Sequence, residues 1–152
     1  MMTPLKTTVL ALITFALAGV AQAGDFLTDY ETAKKKAKEA NKPLVVKFTG
    51  SDWCPPCKAL NKAIFSQKDF KTAVEKDFVV VVLDFPRKKK LPGDQLKKNQ
   101  AVAKEFGIRG YPTVLVINQK GKVIKKMVGY QGEDVKTYVK ALKDSVKASR
   151  FL

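Results

Sequence analysis

Ser51-Asp52-Trp53-Cys54-Pro55-Pro56-Cys57-Lys58 holds the two cysteines of this 152-residue chain, behind the apolar run Leu44-Val45-Val46-Lys47-Phe48 and ahead of a helix-like segment. Proline suits the first turn of a helix, where its missing N–H costs nothing, so Pro55 predicts a helix beginning just after Cys54. Three residues along a helix bring two Cα atoms to roughly 5–6 Å, a span that a disulfide bridges with little strain. Cys54 then sits at a helix N-terminus, whose partial positive charge, helped by Lys58, favours thiolate over thiol. That position makes Cys54 the nucleophile and Cys57, one turn in and shielded, the thiol that resolves a mixed disulfide. Pro55 and Pro56 stiffen the loop and remove both intervening N–H donors, which leaves the N–H of Cys57 facing the Cys54 sulfur.

Other uses of the pair are weaker. A structural bridge would close a four-residue loop, worth only about 2 kcal/mol in the chain-entropy description. The composition holds no histidine and no third cysteine, so a tetrahedral Cys/His zinc site cannot be completed within one chain. A non-enzymatic protein holding Cu(I) through two thiolates, or holding a client peptide, remains as an alternative. The exchange chemistry itself calls for no metal and no organic cofactor.

Met1 to Ala23 carries Lys6, an apolar run from Val9 to Val20, and Ala21-Gln22-Ala23. The run is too short to span a bilayer comfortably, and Ala-x-Ala supplies the small residues of a cleavage site. Residues 1–23 are therefore expected to be a secretory signal peptide cleaved near Ala23, with one domain over 24–152. A periplasmic or secreted location follows, in which client disulfides persist. Lysine and arginine number 29 against 14 acids, a formal charge of +15 that falls to +14 once Lys6 leaves with the leader. Such a charge steers acidic partners by long-range attraction. Nucleic acid is not expected, because the lysines are spread over helix faces without interleaved aromatics.

Along the chain, Thr28-Asp29-Tyr30-Glu31 reads as a capping box opening a helix to about Asn41, with Ala33, Ala37 and Ala40 on its apolar face. Leu44 to Thr49 is a short buried strand, and a second helical stretch begins at Ser66-Gln67-Lys68-Asp69. Phe78 to Asp84 is β-branched enough to predict a strand buried on both faces. A basic, irregular connection containing Arg87-Lys88-Lys89-Lys90 leads to a helix from Asp94 to about Phe106, stopped by Gly107. Thr113 to Ile117 and Val123 to Val128 form a hairpin around Asn118-Gln119-Lys120-Gly121, and Glu133 to about Ala148 closes the chain as an amphipathic helix.

With Trp53-Cys54-Pro55-Pro56-Cys57-Lys58 behind a strand, Gly107-Ile108-Arg109-Gly110-Tyr111-Pro112-Thr113 further on, and Gly129 before the last helix, the chain resembles the thioredoxin superfamily over nearly all of residues 24–152. It is most similar to exported thioredoxin-like proteins of bacteria. The resemblance implies an α/β thioredoxin fold: a central mixed β-sheet flanked by helices, here with an N-terminal helix and a basic loop insertion. It implies a monomeric protein-disulfide oxidoreductase in which Pro112 is cis and lies against the cysteines, while Tyr111 and Trp53 border the client. Its partners would be protein clients with disulfides or thiols and a membrane electron-transfer partner. A reductase is favoured, with an oxidase of exported proteins as the alternative. Two departures stand out. Thioredoxins keep a buried acid on the strand before the motif, for the proton of the resolving cysteine, whereas Lys47 falls there in this chain. Water, Asp52 or Asp84 is left to substitute, with Asp52 expected to face solvent. The connection after Phe85 is longer than in plain thioredoxin, and its cations read either as a solvated loop or as a docking patch for an acidic partner.

Overall fold

The computed structural model describes residues 25–151, so the expected leader lies outside the described residues. Five α-helices, one π-helical turn and four strands follow in the order α1 (Tyr30–Glu39), β1 (Leu44–Thr49), α2 (Pro55–Leu60), the π turn (Asn61–Phe65), α3 (Lys68–Glu75), β2 (Val79–Asp84), α4 (Gln95–Glu105), β3 (Thr113–Ile117), β4 (Val123–Val128) and α5 (Val135–Ser149). The strands form one mixed sheet in the order β2-β1-β3-β4. β1 runs parallel to β2 and antiparallel to β3, and β3 forms a hairpin with β4.

Side chains alternate across a strand, so β1 feeds two apolar layers. Val45 packs with Leu60, Phe65, Phe70, Val114 and Leu142 beneath α2, the π turn, α3 and α5. Leu44, Val46 and Phe48 pack with Ala33, Val81, Leu83 and Leu115 beneath α1 and α4. Each such fully buried aliphatic or aromatic side chain contributes about 1.5–3 kcal/mol. Lys47 alternates with Val46 and Phe48 and therefore shares the face of Val45, opposite Val82 on one side and Val114 on the other. A lysine occupies a place in a valine layer.

β2 is an edge strand that pairs with β1 alone among the four strands, and both of its faces are covered as expected, Val80 by one apolar layer and Val81 and Leu83 by the other. Its outer edge is met instead by Leu27, whose N–H donates to the Val80 carbonyl (3.3 Å) and whose carbonyl accepts from the Val82 N–H (2.7 Å). The apolar run thus serves two helix layers and an N-terminal strap. The cap of α1 is Asp29 rather than Thr28: its carboxylate accepts the Thr32 N–H at 2.8 Å, while Glu31 turns to Lys34. Ala40 caps the far end and is exposed. Among the described residues no helix is long and apolar enough to cross a membrane.

Candidate active site

β1 delivers the chain through Gly50-Ser51-Asp52-Trp53 to Cys54, which is the N-cap of α2 in an extended conformation, with Pro55 as the first helical residue. A disulfide joins Cys54 to Cys57, whose Cα atoms lie 5.2 Å apart. The Cys57 N–H donates to Cys54 Sγ at 3.3 Å, the contact that the two intervening prolines leave open. The Gly50 N–H donates to Cys57 Sγ at 3.4 Å. The Tyr111–Pro112 peptide is cis, and Cys54 Sγ lies 3.6 Å from the Tyr111 carbonyl oxygen. Both cysteines are buried, at 3% and 1% exposure, so depth within the fold hardly separates them. Their neighbours do.

Around Cys54 the neighbours are aromatic. Trp53 Nε1 donates to the Phe85 carbonyl at 2.7 Å, and its ring meets Tyr111 edge-on at 5.9 Å. Phe85 packs against the same tyrosine at 5.0 Å, and burial raises the Tyr111 hydroxyl pKa. The Arg87 guanidinium lies 3.7 Å over the indole, a cation–π contact that ties the basic loop to the site. Gly50 is required by space: a Cβ there would lie 2.5 Å from Trp53 Cε2. Trp53, Tyr111 and Pro112, singled out in the sequence, are brought together here, while Pro55 and Pro56 stand exposed beside them.

Asp52 organises the loop. Its carboxylate accepts the backbone N–H groups of Arg87 (3.0 Å), Lys88 (2.8 Å) and Lys89 (3.1 Å). Those bonds, that of Arg87 foremost, hold its pKa below the usual carboxylate value. It is an anchor for the loop rather than a stand-in for the missing buried acid.

Behind Cys57 lies a cavity of about 640 Å³ lined by Cys57, Lys47, Lys58, Asn61, Asp84 and Lys89, among others. Lys47 is 1% exposed. Its Nζ donates to Asn61 Oδ1 at 3.0 Å and sits 4.2 Å over the Phe65 ring. Burial pushes its pKa down to about 8, offset in part by the negative charge of Asp84. Asp84 accepts from Ser51 N (2.9 Å) and Ser51 Oγ (2.6 Å) and pairs with Lys89 at 3.0 Å. Burial works to raise the Asp84 pKa, but the Ser51 and Lys89 contacts outweigh it and hold the carboxyl below its usual range. Lys58 belongs to this cavity too, and so lies on the Cys57 side of the pair.

Sequence reasoning missed Gly50, Asn61, Ser51 and the Arg87–Trp53 stack. Asn61 had a signal, since it follows Cys57 by four residues and so shares its helix face. The others depend on contacts between distant segments. Among the described residues no group of three or more histidine, cysteine, aspartate or glutamate side chains is placed to hold a metal ion.

The family model described as a thioredoxin-like domain matches residues 30–145. The disulfide bond reductase DsbH of Chlamydia pneumoniae is 31% identical over 118 residues, covering 78% of this chain and 70% of that protein. Thioredoxin H4 of Arabidopsis thaliana is 38% identical over 104 residues, covering 68% and 74%. A solved structure titled DsbH oxidoreductase superposes with a TM-score of 0.75 at 27% identity, over 97% of this chain and 95% of the other. The mixed four-stranded sheet and the cysteine pair at the start of α2 agree with these likenesses: the chain belongs to the thioredoxin-like family and is a disulfide oxidoreductase.

Proposed function

We propose that the protein works outside the cytosol as a reductase of protein disulfides, with Cys54 as nucleophile and Cys57 as resolving thiol. The observation that carries the assignment of roles is the placement of Cys54 Sγ at the N-terminus of α2, 3.6 Å from the Tyr111 carbonyl and beside cis-Pro112. An extended client segment fits against that backbone with Trp53 and Tyr111 at its edges. In the first step the Cys54 thiolate attacks a client disulfide, one client sulfur leaves as thiolate, and a mixed disulfide forms. Cys57 then attacks Cys54 Sγ, releasing the second client sulfur and closing the ring.

The reductive direction draws support from the likeness to a relative named as a disulfide bond reductase. Export draws support from the leader-like sequence of residues 1–23. An exported reductase needs a dithiol partner to reopen its ring, and a membrane electron carrier fits that need.

Cys57→Ser tests the roles: mass spectrometry should find client proteins accumulating in covalent complexes on Cys54, and their absence from a folded variant would refute the assignment. The reduction potential of the pair tests direction. A value near about −270 mV supports the reductase, and one near about −120 mV makes the protein an oxidant of exported chains.

A further inference from the structure

Burying an ammonium group is costly unless a partner compensates it, and buried lysines are accordingly rare. Lys47 sits in the middle of β1 between Val82 and Val114, in a layer that valine would fill. Among the described residues it forms no ion pair, and its one hydrogen bond is to Asn61. Asn61 lies one helical turn beyond Cys57 on the same face, and it donates in turn to Ser66 Oγ at 2.9 Å, which fixes its orientation so that Oδ1 receives the lysine. The amino group is thereby held in the cavity into which Cys57 faces. While the disulfide is closed, the one anion of that cavity acting on the lysine is Asp84, which is paired with Lys89 and bonded to Ser51 and forms no ion pair with Lys47. Opening the disulfide allows a second negative charge, on Cys57.

We propose that Lys47 is the positioning residue for the resolving step, a buried cation held by Asn61 that keeps the released Cys57 sulfur as thiolate. The inference rests on the resolving role given to Cys57 above. In the mixed disulfide, Cys57 loses its proton to water in the cavity, and its electron pair forms the bond to Cys54 Sγ. The bond between Cys54 Sγ and the client sulfur breaks, and the client leaves with that pair and takes up a proton from water. Lys47 keeps its charge throughout. An opposite charge nearby favours the ionised form of a thiol, and between two buried groups such as Lys47 and Cys57 the attraction is stronger than at the surface.

The other charged groups around Cys57 do not supply the same field. Lys58 and Lys62 project from α2 and the π turn and are exposed. Lys89 is spent on Asp84, whose negative charge opposes thiolate formation. Lys47 is the buried cation among the residues that line the cavity. A lysine in place of an acid thus changes how the site meets the demand: it supplies attraction for the anion, where a carboxylate would supply a proton acceptor.

The test is a titration of Cys57 in the Cys54→Ser background, where it is the single cysteine, followed by thiolate absorbance and by alkylation rate against pH. Replacing Lys47 by Met or Gln should move the midpoint upward by about one pH unit, a tenfold loss of thiolate at neutral pH, while Lys47→Arg should hold it close to that of the parent. An unmoved midpoint in a folded Met or Gln variant would overturn the proposal. A readout that needs no substitution at Lys47 is the ¹³Cε shift of its side chain in the wild-type protein. Its titration should lie near pH 8 with the disulfide closed and rise on reduction, since the coupling is reciprocal. The same midpoint in both redox forms would equally overturn it. No client is present in either measurement, so the result stands apart from whether clients are trapped on Cys54.

Discussion

Cys54 lies beside aromatic rings and a backbone carbonyl, whereas Cys57, three residues away and equally buried, borders a cavity that it shares with a lysine, an asparagine and a carboxylate paired elsewhere. The first side, proposed above to receive a client, joins Trp53, Tyr111 and Arg87 into apolar surface with a cation on top. The second is a cavity lined largely by charged and polar side chains. Two sulfurs joined by one bond are thus given different chemistry by what packs against each, since a thiol's reactivity follows its local field more than its depth.

Displacing the aromatic side should have the largest effect. In Gly50→Ala the new Cβ would fall 2.5 Å from the Trp53 ring, and because Trp53 is half-exposed the indole can swing outward rather than unfold the domain. Reduction of a protein disulfide should fall by about tenfold or more, as expected when a positioning group shifts by an ångström or so. Reduction of a small, unhindered disulfide should change far less. Equal losses on both would mean that Trp53 is not a client contact and that the two sides are less distinct than drawn here.

Loosening the loop that joins the two sides should have a moderate effect. Asp52→Asn weakens the anchor for the N–H groups of Arg87, Lys88 and Lys89, so trypsin should cut after these residues several-fold faster than in the parent. The same anchor makes a pH prediction. Because the Asp52 pKa is lowered on folding, its contribution is fully present above the ordinary value of 3.8 and is lost as pH falls through the lowered value. Loop protection measured by hydrogen exchange should therefore fade on acidification below about pH 4, and the Asn variant should show no such step.

The smallest effect belongs to the exposed loop cations. Lys89 is paired with Asp84, which leaves Lys88 and Lys90 as the exposed lysines on the loop without an ion pair among the described residues. Reversing both to Glu should slow reaction with an acidic client by a few-fold at low salt, with the difference shrinking as salt is raised. Indifference to client charge would reduce the loop to a solvated connection and leave Arg87 as its one contribution to the site.

How much of this was legible in the sequence follows from the range of the forces involved. β1, β3 and β4 came out at the expected boundaries, and Cys54 came out as a helix cap, because periodicity, proline and turn chemistry act over a few neighbouring residues. The family resemblance added the cis bond before Pro112, which local sequence cannot show. The edge position of β2 was hidden, since an apolar run reads the same whether its second flank meets a strand or a strap such as Leu27. Lys47 was visible as a departure from the family pattern, but its burial and its bond to Asn61 were not. Nor was the choice between Asp52 and Asp84, one anchoring residues 87–89 and the other paired with Ser51 and Lys89. Local pattern sets which segments fold and where the cysteines open a helix. Which groups share a cavity with each sulfur depends on strand order and loop closure, which bring together residues more than ten positions apart and leave no periodic trace along the chain.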